Sequence, residues 1–259
     1  MVAPNQAPTI AGKDLVVVAT YNERENLPEI LSKVWFHCPD VDVLVIDDNS
    51  PDGTGDWVQA QLETESRLRY IARPEKLGLG TAALEAMRFS IANGYRYLIN
   101  MDADFSHDPE YLNAIRNRMD DVACGSADIV IGSRYIPDGG TIGWPWYRKL
   151  SSRLLNGYAR FWLGLPVRDC SGGYRCFRVS FLQKLDLELV RARGYAFHEE
   201  ILWHLKRHRA KFAEVPILFT DRRYGRSKIR AIDAVIAVWR IGELGLCSKW
   251  QALTRGNKR

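Results

Sequence analysis

Tyr97-Leu-Ile-Asn-Met-Asp-Ala-Asp104 is a short apolar run that stops on two carboxylates one residue apart. Ligands of open α/β sheets gather at the carboxyl ends of the strands, so a buried strand ending on acid points to a parallel sheet with a polar edge. Alternate side chains on extended backbone face the same way. Asp102 and Asp104 are therefore expected to approach one divalent cation together, or to divide a metal and a sugar between them. Mg²⁺ or Mn²⁺ takes such hard oxygen ligands together with substrate phosphates. A solvated Asp-rich turn fits the same three residues, and the motif alone leaves both readings open.

Working outward, the first half alternates strands and helices. Leu15–Ala19 contains three consecutive valines, as suits a strand buried on both faces. Leu27, Ile30, Leu31 and Val34 recur at helical spacing, with Asn26 placed to cap and Pro28 in the first turn. Strands are expected at Val41–Ile46, Leu68–Ala72, Tyr97–Met101 and Asp128–Gly132. Helices are expected over Thr54–Ser66 and after the glycine-bearing loop Lys76–Gly80. This rhythm predicts a doubly wound, mostly parallel α/β sheet. The second half is less regular. Leu150, Leu154, Tyr158, Phe161 and Trp162 form an amphipathic stripe, and Tyr174–Arg178 and Phe212–Thr220 read as strands.

Other polar clusters sit at element ends. Asp47-Asp-Asn-Ser50 follows a strand, where a carboxylate can accept from a ribose or a base edge or can close an Asx-type turn. Lys76–Gly80 can cradle a phosphate at a helix start. Asp169-Cys-Ser-Gly-Gly-Tyr-Arg175 is a polar turn whose Asp169 can orient an arginine or a substrate. His198 and Glu199 open a helix and suit a structural or substrate-positioning role. Arg222, Arg223, Arg226, Lys228 and Arg230 crowd one stretch, fit for pyrophosphate or for an anionic surface.

The 259 residues carry 36 Lys plus Arg against 31 Asp plus Glu, a net charge of +5 that does not call for nucleic acid. Five cysteines, an odd number without CxxC spacing, argue against a disulfide framework or a zinc site and for buried thiols in a reducing compartment. No signal peptide is expected at the N-terminus, and no apolar run has the length of a membrane span. No GxGxxG follows the first strand and no Walker A sequence occurs, which excludes dinucleotide dehydrogenases and P-loop kinases.

Taken together, Thr20-Tyr-Asn-Glu-Arg-Glu-Asn-Leu-Pro28, Asp47-Asp-Asn-Ser-Pro-Asp-Gly-Thr54, Lys76-Leu-Gly-Leu-Gly-Thr81, Met101-Asp-Ala-Asp-Phe-Ser-His107, Gly132-Ser-Arg-Tyr135 and Tyr224-Gly-Arg-Ser-Lys228 resemble the family-2 glycosyltransferases of GT-A fold, a Rossmann-like, mostly parallel sheet flanked by helices. The likeness is to their dolichol-phosphate (polyprenol-phosphate) mannosyltransferases. It implies an inverting transfer of mannose from GDP-mannose to dolichyl or polyprenyl phosphate. Ala19, Tyr21, Glu23, Ile46 and Asp48 would hold the guanosine end. Asp102 and Asp104 would bind the metal, Mg²⁺ or Mn²⁺, and act with Arg134 in catalysis. Ala103, Ser106, Arg134, Arg222 and Lys228 would complete the donor site, and Arg134, Arg148 and Ser152 would receive the acceptor phosphate. Ala19 stands where the family has proline. Many relatives also carry C-terminal membrane helices, and no run of this sequence is expected to form one.

The resemblance implies an arrangement of a flexible N-terminus (1–13), a catalytic domain (14–230) and a C-terminal amphipathic helix and tail (231–259). Asp233, Arg240 and Glu243 fall on one face of that helix, away from Val235, Val238, Trp239 and Leu246. It is expected to lie on a membrane surface, to pack on its own domain, or to dock a small membrane-spanning partner. The protein is then expected in the cytoplasm, peripheral to the membrane's cytoplasmic face. Another donor such as UDP-glucose, or a non-catalytic lipid-binding module, remains open at this stage.

Overall fold

The computed structural model describes residues 12–221 and 231–256, with the side chains of 231–234 and 248–256 excepted. The first half alternates as the sequence predicts: β1 (Asp14–Thr20), α1 (Leu27–His37), β2 (Asp42–Asp47), α2 (Thr54–Gln61), β3 (Leu68–Ala72), α3 (Leu79–Ala92), β4 (Tyr97–Asp102), α4 (Leu112–Met119) and β5 (Ile129–Ser133). There follow β6 (Gly140–Ile142), α5 (Trp146–Leu163), β7 (Arg175–Arg178), α6 (Val179–Leu182), α7 (Phe197–Arg207), β8 (Phe212–Pro216), β9 (Leu218–Thr220) and α8 (Ala231–Gly256).

One seven-stranded sheet has the order β3-β2-β1-β4-β7-β5-β8, with a two-stranded piece β6-β9 beside it. All pairings in the large sheet are parallel except those of β7, which runs antiparallel between β4 and β5. The run of valines in β1 explains its central place. Leu15 and Val17 join the core on one face of the sheet, Val16 and Val18 the core on the other. Such a strand leaves neither face for water.

Several boundaries differ from the sequence reading. Asn26 precedes α1 but makes no side-chain cap; its amide donates to the Glu23 carboxylate at 2.8 Å instead. The helix expected to reach Ser66 ends at Gln61, because only Thr54 and Val58 bury themselves and nothing apolar holds a further turn. The strand expected over Phe212–Thr220 divides at Ile217, whose N–H still donates to Ser133 of β5 while its carbonyl already accepts from Gly140 of β6. β8 pairs with β5, and β9 leaves to pair with β6.

The largest difference lies in α5. Its stripe has helical periodicity, but Leu150, Leu154 and Phe161 are exposed, while Asn156, Ala159 and Leu163 face the core. α8 packs against α5 through Ala237, Ile241 and Leu244. The helices approach closely at Gly245, where a Cβ would stand 2.9 Å from the Trp162 ring. Arg240 of α8 donates to Glu200 of α7 at 2.6 Å and to Glu243 at 2.5 Å. The helix therefore packs on its own domain, yet Val235, Ile236, Trp239 and Leu246 remain exposed. The side chain of Asp233 lies outside the described residues. Among the described residues, no helix is long and apolar enough to cross a membrane.

Candidate functional site

The carboxyl ends of β1, β2 and β4 lie side by side, since Ala19 pairs in register with Ile46 on one side and Asp102 on the other. Three chain segments leaving this edge each contain a non-glycine residue with positive φ: Asn22, Asn49 and Phe105. Such backbone is uncommon and is held in place by its surroundings. Here the holding bonds are visible. The backbone N–H groups of Asn22, Glu23 and Arg24 donate to Ser50 Oγ, Thr54 Oγ1 and an Asp52 carboxylate oxygen at 2.9, 3.2 and 3.0 Å. Asp47 is the anchor behind them, accepting from Thr20 Oγ1 at 2.8 Å and Ser50 Oγ at 2.5 Å.

The residues that the resemblance assigns to a donor divide by burial. The side chain of Ile46 is fully buried and that of Ala103 lies in the core, so a ligand reaches either through its backbone alone. Tyr21 is half-buried, with the Lys76 ammonium 4.0 Å from its ring centre. Asp48 is paired with the buried Arg73, a residue that the sequence reading did not single out. Arg73 also donates to Thr81 Oγ1 at 2.7 Å. The pair thus ties the Lys76–Gly80 loop to the end of β2. That loop is no open phosphate cradle: the Gly78 N–H donates to Asp48, and the Gly80 N–H to the Arg193 carbonyl. A Cβ at Gly80 would stand 2.7 Å from the Ala192 carbonyl oxygen, so glycine serves close backbone packing there.

The two carboxylates of 102 and 104 are not placed by continued extension. β4 ends at Asp102, and the chain then bends, with Phe105 at φ +61°. The Asp102 side chain keeps 32% of its surface exposed and lines a cleft; Asp104 is buried. One Asp104 oxygen accepts from Ser106 Oγ at 2.5 Å and Ser106 N–H at 3.1 Å. The Asp102 N–H donates to His107 Nδ1 at 3.0 Å, and burial lowers the His107 pKa, so that ring stays neutral. Among the described residues no cluster of three metal-ligating side chains occurs. Mg²⁺ and Mn²⁺ do not require one, because one or two carboxylates suffice when phosphates and water complete the shell. The pair fits such an ion.

The cleft beside Asp102 has a volume of about 690 Å³. Arg134, Arg148 and Ser152 line it together with Asp102, so four of the sequence-derived residues share one space. Arg134 follows β5 and is 8% exposed. The Asp169 carboxylate accepts from its Nε and a terminal nitrogen, both at 2.7 Å, and from its backbone N–H at 3.0 Å. Burial would raise the Asp169 pKa, but the guanidinium charge and these hydrogen bonds outweigh it and hold the carboxyl below its ordinary range. Asp169 thus orients an arginine.

Aromatic side chains that the sequence reading did not mark complete the wall. The Arg148 guanidinium lies 4.0 Å from the Trp144 ring centre, and Arg134 stands 5.5 Å from the same ring and 5.4 Å from that of Phe219. Arg148 also donates to Asp221 at 3.1 Å. Ser152 Oγ accepts from the Tyr135 hydroxyl at 2.6 Å. His198 and Glu199 line the cleft as well. Arg222 and Lys228 lie outside the described residues. Of the five free cysteines, Cys38, Cys170 and Cys176 are buried as expected, whereas Cys124 and Cys247 are exposed.

The family model described as "Glycosyl transferase family 2" matches residues 15–186. The polyprenol monophosphomannose synthase of Mycolicibacterium smegmatis is 40% identical over 235 residues, covering 90% of this chain and 87% of the relative. The undecaprenyl-phosphate mannosyltransferase of Micrococcus luteus is 38% identical over 239 residues, covering 92% and 96%. Among solved structures, the glucosyl-3-phosphoglycerate synthase of Mycobacterium tuberculosis, with Mn²⁺, UDP and glucosyl-3-phosphoglycerate, aligns at a TM-score of 0.60 and 20% identity, over 92% of this chain and 79% of that one. Staphylococcus aureus TarS 1–349 with UDP-GlcNAc aligns at 0.59 and 19%, over 90% and 66%. At such identities the two structures speak for the fold alone. The sheet order, its mostly parallel strands and these matches agree: the chain belongs to glycosyltransferase family 2 and is a glycosyltransferase of GT-A fold.

Proposed function

We propose that this enzyme transfers mannose from GDP-mannose to a polyprenyl phosphate, dolichyl or undecaprenyl in type, with inversion, at a membrane surface. The observation that carries the reading is the character of the cleft. Its lining joins the polar Asp102, Arg134, Arg148 and Ser152 to the apolar Leu154, Leu155 and Tyr158 of α5 and Ala237 and Val238 of α8. A phosphate joined to an apolar chain matches both kinds of lining. The names of the two curated relatives agree with it.

A phosphate monoester is largely dianionic at neutral pH and needs no base to become a nucleophile. Its oxygen attacks the anomeric carbon as the bond to the GDP β-phosphate oxygen breaks, which converts an α-linked donor to a β-linked product. Arg134, fixed by Asp169, and Arg148, laid on Trp144, position the acceptor phosphate. Ala19, Tyr21, Glu23, Ile46 and Asp48 hold the nucleoside, Ala19 and Ile46 through backbone. Asp102 and Asp104 hold Mg²⁺ or Mn²⁺, which when bound neutralises charge on the departing diphosphate. Ala103 and Ser106 support that edge, and Arg222 and Lys228 meet the donor phosphates. The exposed Trp146, Tyr147 and Leu150 of α5 and Val235, Ile236 and Trp239 of α8 form the face laid on the bilayer. A small membrane-spanning partner is an alternative cover for it. Residues 14–230 would be the catalytic unit and 231–259 its attachment.

Incubation of the full chain with GDP-mannose, Mg²⁺ and undecaprenyl phosphate in vesicles should yield a mannosyl lipid. A panel including UDP-glucose tests the donor. Transfer from UDP-glucose but not GDP-mannose would overturn the donor assignment.

A further inference from the structure

At the start of α7, Glu199 is 2% exposed and its Oε2 has no hydrogen-bond partner. Beside it His198, 4% exposed, leaves Nδ1 unpartnered. Both line the cleft that holds Asp102 and Arg134. A polar group removed from water without a partner is costly, so such groups are kept where a ligand supplies the bond.

The nearest protein explanation is that Glu199 balances the buried Arg175. Yet the terminal nitrogens of Arg175 donate to the carbonyls of His198 and Cys170, at 2.7 and 2.6 Å. Arg175 Nε and Glu199 Oε2 are both left without a hydrogen bond. The two charges sense each other without being joined.

We propose that Glu199, with His198 beside it, recognises a hydroxyl of the transferred sugar and so helps to set which sugar the cleft accepts. This rests on the proposed function, in which the sugar lies between the donor diphosphate at Asp102 and the acceptor phosphate at Arg134. Of the three parts of that assembly, only the sugar suits a carboxyl group. Phosphates repel a carboxylate, and a prenyl chain offers no hydrogen bond. A hexose presents several O–H groups. Burial pushes the Glu199 carboxyl up to about 7 against the pull of Arg175, so near neutral pH it serves as donor or acceptor. Glu199 is a specificity residue and not a base, because the acceptor has no proton to lose.

Calorimetric titration of the full chain with GDP and with GDP-mannose, both with Mg²⁺, reads the sugar's contribution as a ratio of affinities. Glu199→Leu should leave GDP binding unchanged and weaken GDP-mannose about tenfold. Glu199→Gln retains a donor and an acceptor and should lose no more than about threefold. In turnover, kcat/KM for the donor should fall while KM for undecaprenyl phosphate holds. If Glu199 only balances Arg175, Glu199→Gln will lower the thermal midpoint as much as Glu199→Leu and both affinity ratios will stay at the wild-type value, which overturns the inference. A wild-type chain that transfers no sugar to the lipid phosphate would sink the functional reading instead, and the affinity ratios would still decide the role of Glu199.

Discussion

Asp169 grips Arg134 at three points, its carboxylate accepting from the Nε, a terminal nitrogen and the backbone N–H of that one residue. Both partners are buried. Removing one partner of such a pair strands the other charge in the interior, at a cost of about 3–5 kcal/mol. Asp169→Ala is therefore expected to lose stability on that scale in denaturant titration, and its remaining folded fraction to use the acceptor poorly. A variant with an unchanged midpoint and normal acceptor KM would show that Arg134 needs no such support.

Asp104→Asn should abolish transfer while leaving the fold intact. The amide oxygen can still accept from the Ser106 N–H and hydroxyl, so the bend after β4 survives, but the charge that holds a divalent cation is gone. Circular dichroism and a lipid-product assay at saturating Mg²⁺ separate the two effects. Near-normal turnover would remove Asp104 from the metal site.

Arg148→Ala should raise KM for undecaprenyl phosphate by tenfold or more, an estimate of about one charge-assisted hydrogen bond. GDP-mannose affinity should hold, because Arg148 comes from α5 and is engaged by Trp144 and Asp221, whereas the nucleoside site is proposed at the ends of β1 and β2. Titration of the donor alone is the check; a large loss there would move Arg148 to the donor site.

The attachment of α8 should depend on acid. Glu200 is buried, which would raise its pKa, but His204 beside it and hydrogen bonds from Arg240 and the N–H groups of Arg191 and Ala192 hold it down at about 2. A carboxyl depressed in the folded state contributes stability that is complete above its unfolded value near 4.5 and is lost as pH falls toward 2. Glu200→Gln should remove that pH dependence and loosen α8 at neutral pH. Hydrogen exchange of the α8 amides between pH 7 and about pH 3 reads it; equal protection across the range would contradict the assignment.

Binding to anionic vesicles should fall when Trp146 or Trp239 is replaced by glutamate. Both indoles are exposed, Trp239 at 78%, so the fold loses little by either change. Point changes are preferable to shortening the chain at Arg230, because that would uncover the core around Ala237, Ile241 and Leu244. Unaltered sedimentation of both variants with vesicles would leave that face to a protein partner.

What the sequence disclosed, and what it withheld, follows from distance along the chain. Each parallel strand was legible because an apolar run such as Leu15–Ala19 or Tyr97–Met101 stops sharply on polar residues. Asp102 was legible for the same reason. Trp144, Phe219 and the adjacent His198 and Glu199 were not marked as one wall, since they come from three separate segments. The Asp48–Arg73 pair was hidden likewise. The stripe on α5 taught a different limit: periodicity reveals that a helix face is apolar, and says nothing of what covers it. Extended geometry was the wrong route to Asp104, because Phe105 takes a left-handed turn that no alternation rule foresees.

α5 carries two opposed duties on one rod. Arg148 and Ser152 look into the cleft, and Trp146 and Leu150, which do not line it, are exposed. A helix with its side chains is about 10–12 Å across. With the outer row laid on a bilayer, that thickness becomes a gauge block between the hydrocarbon boundary and the groups that receive phosphate. The working height of the enzyme is then set by a rigid part and not by a tether, and an acceptor is admitted when its headgroup can rise to that mark.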